Sequence, residues 1–235
     1  MKKIIIVFSV VLSGFLTGCL NDDFLDRQRL TEVSPEAYFT KPNDFKLYTN
    51  QFYNHLGNAL GWNIWVYGWE DGTDNLIGPQ PNVDLDGQIT IPVTDAQWSD
   101  AYSRIRSINI LLANTGRAKW EDIKIYVAEA KFFRAFQYFA LLRRYGDVPW
   151  VNKPIIPSDI KDLTIPRLSR DILTDSIVAD LDFAVENLPD HLKVEKFRIS
   201  KEIALAFKSR VCLYEGTWEK YHGKAGTPFA VTGSD

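Results

Sequence analysis

The sequence predicts a mainly α protein, a scaffold of helix pairs joined by long irregular loops. Apolar residues recur at three- and four-residue spacing in successive windows between residues 45 and 214, the period of helices with a buried stripe. The windows are punctuated by capping residues, glycines and prolines. Between residues 57 and 94 the period is lost, and Gly, Pro, Asp and Asn fill "GWEDGTDNLIGPQPNVDLDGQITIPVTD".

Residues 4–16 are an apolar run behind Lys2 and Lys3. This is the pattern of a secretory signal, too short for the roughly 20 residues that span a bilayer. Leu16-Thr17-Gly18-Cys19 resembles a bacterial lipobox. Small residues at 17 and 18 admit the chain to a narrow protease, and only a thiol at 19 forms the thioether to diacylglycerol. The expected organisation is a lipoprotein signal peptide over 1–18, a lipidated tether over 19–33 starting at Cys19, and a helical domain over 34–235. Each buried CH₂ of an acyl chain such as palmitate adds about 0.8 kcal/mol, so such a lipid anchors a protein without a spanning helix. Leu20 gives no sign of inner-membrane retention, and Asp22-Asp23 resembles the acidic signals that direct lipoproteins to the cell surface.

Ser34-Pro35 opens a short turn of helix through Phe39, with Ser as cap and Pro at the first helical position. Phe45, Tyr48, Phe52 and Leu56 predict a second helix after Asn43, ended by Gly57. The long loop follows, with room for a short strand near Ile89 to Val93. After Asp95, Trp98, Ala101, Ile105, Ile108 and Leu112 share one face of a helix, with Gly116 past its end. The next helix is apolar almost all round. Phe132, Phe133, Phe136, Tyr138, Phe139, Leu141 and Leu142 cannot lie on one stripe, so it is predicted to pack on more than one side. Ala128, Ala130, Ala135 and Ala140 would let its neighbours approach. Glu121 and Asp122 suit its positive end, Arg143 and Arg144 its negative end, and Gly146 and Pro149 stop it. Pro149, Pro154, Pro157 and Pro166 favour extended backbone. Two amphipathic helices come last. Ser169 caps one that carries Leu173, Ile177, Leu181, Ala184 and Leu188 inward. Ser200 caps the other, which carries Ile203, Phe207, Val211 and Tyr214 and ends at Gly216.

Three stretches together, the lipobox followed by "NDDFLDRQ", "AEAKFFRAFQYFALLRRYGDVPW" and "RISKEIALAFKSRVCLYEGTWEKYHG", resemble the SusD/RagB family of surface lipoproteins from Bacteroidetes. The second is the most specific, an Ala-rich aromatic helix running into Arg-Tyr-Gly-Asp-Val-Pro. The resemblance implies a SusD-like scaffold of divergent tetratricopeptide-like helix pairs with long irregular loops. It also implies capture of a nutrient without catalysis, with delivery to a SusC-like TonB-dependent transporter. The expected setting is the outer membrane, lipid-anchored and facing the exterior. Family members are about twice this length, so the chain is read as an amino-terminal portion whose remaining ligand residues lie elsewhere.

Composition and chemistry agree with binding. Twenty-seven basic residues against 30 acidic ones leave a charge of −3, which argues against a nucleic-acid surface. The 3 histidines are scattered, and the sequence contains no HExxH, paired CxxC, GxSxG or phosphate-cradling glycine loop. No enzyme, cofactor or metal is expected. The candidate ligand site is "GWNIWVYGWEDGTDN". Indole faces attract the C–H-lined faces of a sugar ring, and neighbouring polar groups bond its hydroxyls. Trp62, Trp65, Tyr67 and Trp69 supply the faces, and Asp71, Asp74 and Asn75 the polar groups. The ligand is expected to be an oligosaccharide or polysaccharide, with a peptide as the other option. The alternative is a helical-repeat lipoprotein that binds no ligand and serves as an interaction scaffold, its loop aromatics buried. Cys212, without a disulfide partner once Cys19 is lipidated, is expected to be buried as a small apolar side chain.

Overall fold

A computed structural model describes residues 35–56, 87, 90, 93–155 and 160–222. The chain divides into two compact units, Met1–Tyr38 and Phe39–Asp235. In the first, α1 (Pro35–Tyr38) is the described element. The second contains α2 (Pro42–Asn50), a 3-10 segment Gln51–Leu56, α3 (Ala96–Ala113), a 3-10 turn Thr115–Arg117, α4 (Trp120–Tyr145), the single turn α5 (Ile160–Leu163), α6 (Arg170–Asn187) and α7 (Lys201–His222). Among the described residues the one β pairing is an isolated antiparallel bridge between Val148 and Leu168. The mainly α prediction holds. Of the proposed strand, Thr90 and Val93 are described, and neither is in a strand.

The long helix α4 is central because its sequence leaves it few solvent faces. Phe132, Phe133, Tyr138, Phe139, Leu141 and Leu142 are buried together with Ala128, Ala130 and Ala135. Each buried aromatic or Leu side chain contributes about 1.5–3 kcal/mol. Phe133 packs edge-on against Tyr53 at 5.0 Å, next to the 3-10 segment's Phe52 at 6.0 Å. On another side Phe132, Phe136 and Phe139 surround Phe207 of α7 at 5.5–5.6 Å. Against α3, Tyr145 meets Trp98 and Tyr138 meets Tyr102, which runs the two helices antiparallel. Helices α4 and α6, and α6 and α7, are antiparallel as well, since Arg134 bonds Asp180 and Arg170 bonds Leu142 and Glu215. The result is two helix hairpins, α3–α4 and α6–α7, laid side by side.

Three arginines cross-link this bundle. Arg134 of α4 donates to both oxygens of Asp180 on α6, at 2.6 and 2.8 Å, and to Asn109 of α3 at 3.1 Å. Arg198, just before α7, grips Glu129 of α4 at 2.8 and 2.7 Å and reaches Thr49 and Asn50 of α2. Burial pushes the Glu129 carboxyl up, against the pull of Arg198. Arg170 bonds Glu215 at 2.6 Å and lies 4.1 Å from the Trp218 ring.

Some expectations require correction. The second helix tightens into the 3-10 segment at Gln51 instead of running to Leu56, and Leu56 is exposed. Ala140 is exposed, so it brings no neighbour close on that side. The prolines between 149 and 166 admit the single turn α5. Helix α7 passes through Gly216 to His222, because Trp218 beyond the glycine stacks on Arg170 and on His222 at 4.0 Å. Those contacts outweigh the roughly 1 kcal/mol that glycine costs inside a helix. They also set the phase of α7, in which Ala204, Val211 and Glu215 are buried. Cys212 is one residue round the wheel from Val211 and is therefore exposed, not buried, as is Ile203.

Gly146 ends α4 at φ +68° and ψ −115°, its N–H donating to the Leu142 carbonyl at 3.0 Å. That backbone conformation is open to glycine and strained for any L side chain. Gly146→Ala is expected to destabilise the fold by about 1–3 kcal/mol in denaturant titration, although open space surrounds the site. Gly146→Ala at wild-type stability would contradict the assignment.

His55 packs beside Phe52 and edge-on to Phe133, and its Nδ1 is buried with no partner among the described residues. Burial first, then the charge of Arg104, lowers its pKa from 6.5 to about 4. A neutral imidazole is therefore favoured in the folded state. Its contribution is fully present above pH 6.5 and is lost as pH falls towards 4. His55→Gln, neutral throughout, should flatten the pH dependence of the urea midpoint across that window. Identical slopes for the two proteins would count against this environment for His55.

Candidate functional site

The loop residues singled out in the sequence, Trp62, Trp65, Tyr67, Trp69, Asp71, Asp74 and Asn75, lie outside the described residues, as does Cys19. The residues that flank this stretch are described, and on both sides they contact the α3–α4 hairpin. The scaffold is left at Leu56, beside His55, whose ring feels the charge of Arg104 on α3. The chain returns to helix at Asp95, which is held by a cluster of bonds. Its carboxylate accepts from the Gln97 backbone N–H at 2.9 Å and from the Tyr145 hydroxyl at 2.6 Å, with Arg144 at 3.7 Å. These donors hold the Asp95 carboxyl below the usual carboxylate range, the Tyr145 hydroxyl foremost.

Between the two ends lies a cleft of about 230 Å³. One wall is α3, where Gln97, Asp100 and Arg104 fall at helical spacing; the other is α4, where Gln137, Ala140 and Arg144 do the same. The antiparallel pairing brings the two polar rows face to face, and Ala140 leaves the space between them open. The floor is apolar, formed by Ala101 and Leu141. Asp100 and Arg104 carry no hydrogen bond or ion pair among the described residues. Gln137 is 3% exposed, and its Nε2 has no partner there. A buried amide donor left unpaired costs about 1–3 kcal/mol, which an acceptor in the cleft would recover. The cleft thus offers a carboxylate acceptor, guanidinium and amide donors, and the Tyr145 ring. That set suits a neutral polyhydroxylated molecule, whose hydroxyls both donate and accept.

Sequence reasoning missed these cleft residues. Arg143 and Arg144 suit the helix end by sequence, and Arg144 also faces Asp95. The available signal was the row Gln97, Asp100, Arg104, polar at the spacing used by the apolar stripe of the same helix. Among the described residues no group of His, Cys, Asp and Glu could hold a metal ion, and no helix is long and apolar enough to cross a membrane.

Comparison with known proteins gives the chain's family. Residues 78–213 match the SusD-like family model described as "Starch-binding associating with outer membrane". SusD-like protein P38 of Formosa agariphila is 30% identical over 227 residues, covering 93% of this chain and 44% of that protein. SusD-like protein P25 of the same organism is 25% identical over 241 residues, with the same coverage of both chains. This chain therefore spans less than half the length of these relatives. A SusD-like carbohydrate-binding protein from Bacteroides vulgatus superimposes with a TM-score of 0.57 at 20% identity, over 77% of this chain and 43% of that one. That likeness shows the tetratricopeptide-like helical fold. With the family model matching more than half of its residues, the chain belongs to the SusD-like family.

Proposed function

We propose that this protein is a lipid-anchored lipoprotein of the outer membrane, facing the exterior, that captures an oligosaccharide or polysaccharide. It passes the glycan, uncleaved, to a SusC-like TonB-dependent transporter. The observation that carries this reading is the cleft between α3 and α4, polar on both walls and framed by the two ends of the long loop. At about 230 Å³ it is smaller than the roughly 300 Å³ at which ligand pockets begin, so it suits part of a ligand. Trp62, Trp65, Tyr67 and Trp69, carried by the loop between those ends, supply the ring faces, and Asp71, Asp74 and Asn75 supply further polar groups. The lipobox at Cys19 and the family's association with starch and the outer membrane support the anchored setting.

The test is a glycan array and affinity-gel screen of the full chain, with tryptophan emission reporting contact. Saturable binding of a neutral glycan is expected. Asp100→Ala and Arg104→Ala should each weaken it roughly tenfold, the loss of one hydrogen bond to a charged group. Trp62→Ala or Trp69→Ala should weaken it similarly and reduce the emission change. No glycan bound, or binding that survives all four substitutions, would contradict the site, and the former would favour an interaction scaffold.

A further inference from the structure

The segment between α6 and α7 contains a strained backbone conformation. Phe197 has φ +68°, the left-handed region in which a side chain other than glycine is strained. Its ring is 97% exposed, so no burial offsets that strain. The backbone is held there from both sides. Glu195 is fixed by an ion pair to Lys46 at 2.7 Å, and its carbonyl accepts from the Arg198 N–H at 3.1 Å. Arg198 is locked onto Glu129, and the Ile199 N–H donates to the Tyr53 hydroxyl at 3.0 Å. Glycine would satisfy this backbone without strain, yet the position carries a large ring turned to solvent.

Phe197 also borders a cavity of about 350 Å³, within the range of ligand pockets. Lys46, Asn50, Tyr53, Lys196 and Arg198 line it with Glu195. Three cations therefore face one carboxylate. Lys46 and Arg198 are each engaged by a carboxylate, and Lys196 is exposed with no ion pair among the described residues. We propose that this cavity is a second ligand site, in which Phe197 stacks on the apolar face of a sugar ring and Lys196, backed by Lys46, receives a carboxylate or sulfate on that ring. The strain at Phe197 is retained because it aims the ring over the cavity. The site is separate from the α3–α4 cleft and rests on the reading of the protein as a glycan binder.

The test is calorimetric titration of the full chain with an oligogalacturonate and, as a neutral control, a β-glucan oligomer. Phe197→Gly is expected to weaken oligogalacturonate binding roughly tenfold, the loss of one stacked ring. It should also raise the thermal midpoint by roughly 3 °C through relief of strain. Phe197→Trp should keep the binding, and Lys196→Gln should abolish the preference for the acidic over the neutral oligomer. Oligogalacturonate binding that Phe197→Gly leaves intact overturns the proposal. So does binding of the neutral oligomer alone, an outcome that leaves the glycan reading standing. Failure to bind either oligomer, with the glycan screen also negative, overturns both.

Discussion

The bidentate pair between Arg134 and Asp180 is the constraint on which the rest of the described structure depends. Both side chains are almost fully buried, at 7% and 4% exposure. Two charges in such a place are tolerated only if each is paired and hydrogen-bonded. The guanidinium meets this with two bonds to the carboxylate and one to Asn109, while Lys131 adds a bond to Asp180 at 3.0 Å. Asn109 in turn donates to the Val151 carbonyl, and the Trp150 ring lies 5.1 Å from the guanidinium. One residue of α4 thereby fixes α3, α6 and the chain leaving α4. A slip by one turn would break this fork of directed bonds as well as the interdigitated apolar packing. Arg198 with Glu129 and Arg170 with Glu215 repeat the device for α2 and for α7.

The proposed site depends on that fixed register. The cleft between α3 and α4 exists because Gln97, Asp100 and Arg104 stand opposite Gln137 and Arg144, and a slip of one turn would break the facing rows. The ends of the long loop are set by the same hairpin, His55 beside Arg104 and Asp95 on Tyr145. Among the described residues, the unpaired amide of Gln137 borders a surface cleft, while other unpaired atoms, at His55, Arg170, Glu215 and Trp218, lie within the scaffold. Among the described residues, the Gln137 Nε2 has no partner, Asp100 and Arg104 make no hydrogen bond or ion pair, and Phe197 carries backbone strain. Groups that packing leaves unsatisfied or strained are available for a ligand to engage.

What the sequence reveals and conceals has a physical pattern. Helix α4 is readable at both ends and through its middle, because its caps, end charges and excess of apolar residues agree with one another. Helix α6 is equally plain, with Leu173, Ile177, Leu181 and Ala184 all fully buried. Helix α7 misleads. Apolar residues occur nearly all round it, so Ile203 and Cys212 look as eligible for the core as Ala204 and Val211, and the phase is decided by tertiary contacts, Phe207 among the α4 phenylalanines and Arg170 on Glu215 and Trp218. The buried arginine pairs are invisible to a hydrophobic template, which scores Glu129, Arg134 and Asp180 as interruptions. A charge standing on an apolar stripe is nonetheless the one local sign of such a pair. The aromatic stretch from Trp62 to Trp69 stands out by composition, and its residues lie outside those described; the cleft between α3 and α4 depends on the pairing of two helices, which no local pattern encodes.

The most direct measurement is a double-mutant cycle on Arg134 and Asp180, read by equilibrium denaturation of the full chain. Asp180→Ala alone should destabilise by about 3–5 kcal/mol, because Arg134 is left charged, buried and without its carboxylate. Replacing both by apolar residues of similar volume, Arg134→Met with Asp180→Leu, should recover most of that loss, giving a large coupling between the two positions. If each single substitution instead costs less than about 1 kcal/mol and the two effects simply add, as for an exposed pair, the account of how the scaffold holds its register is contradicted.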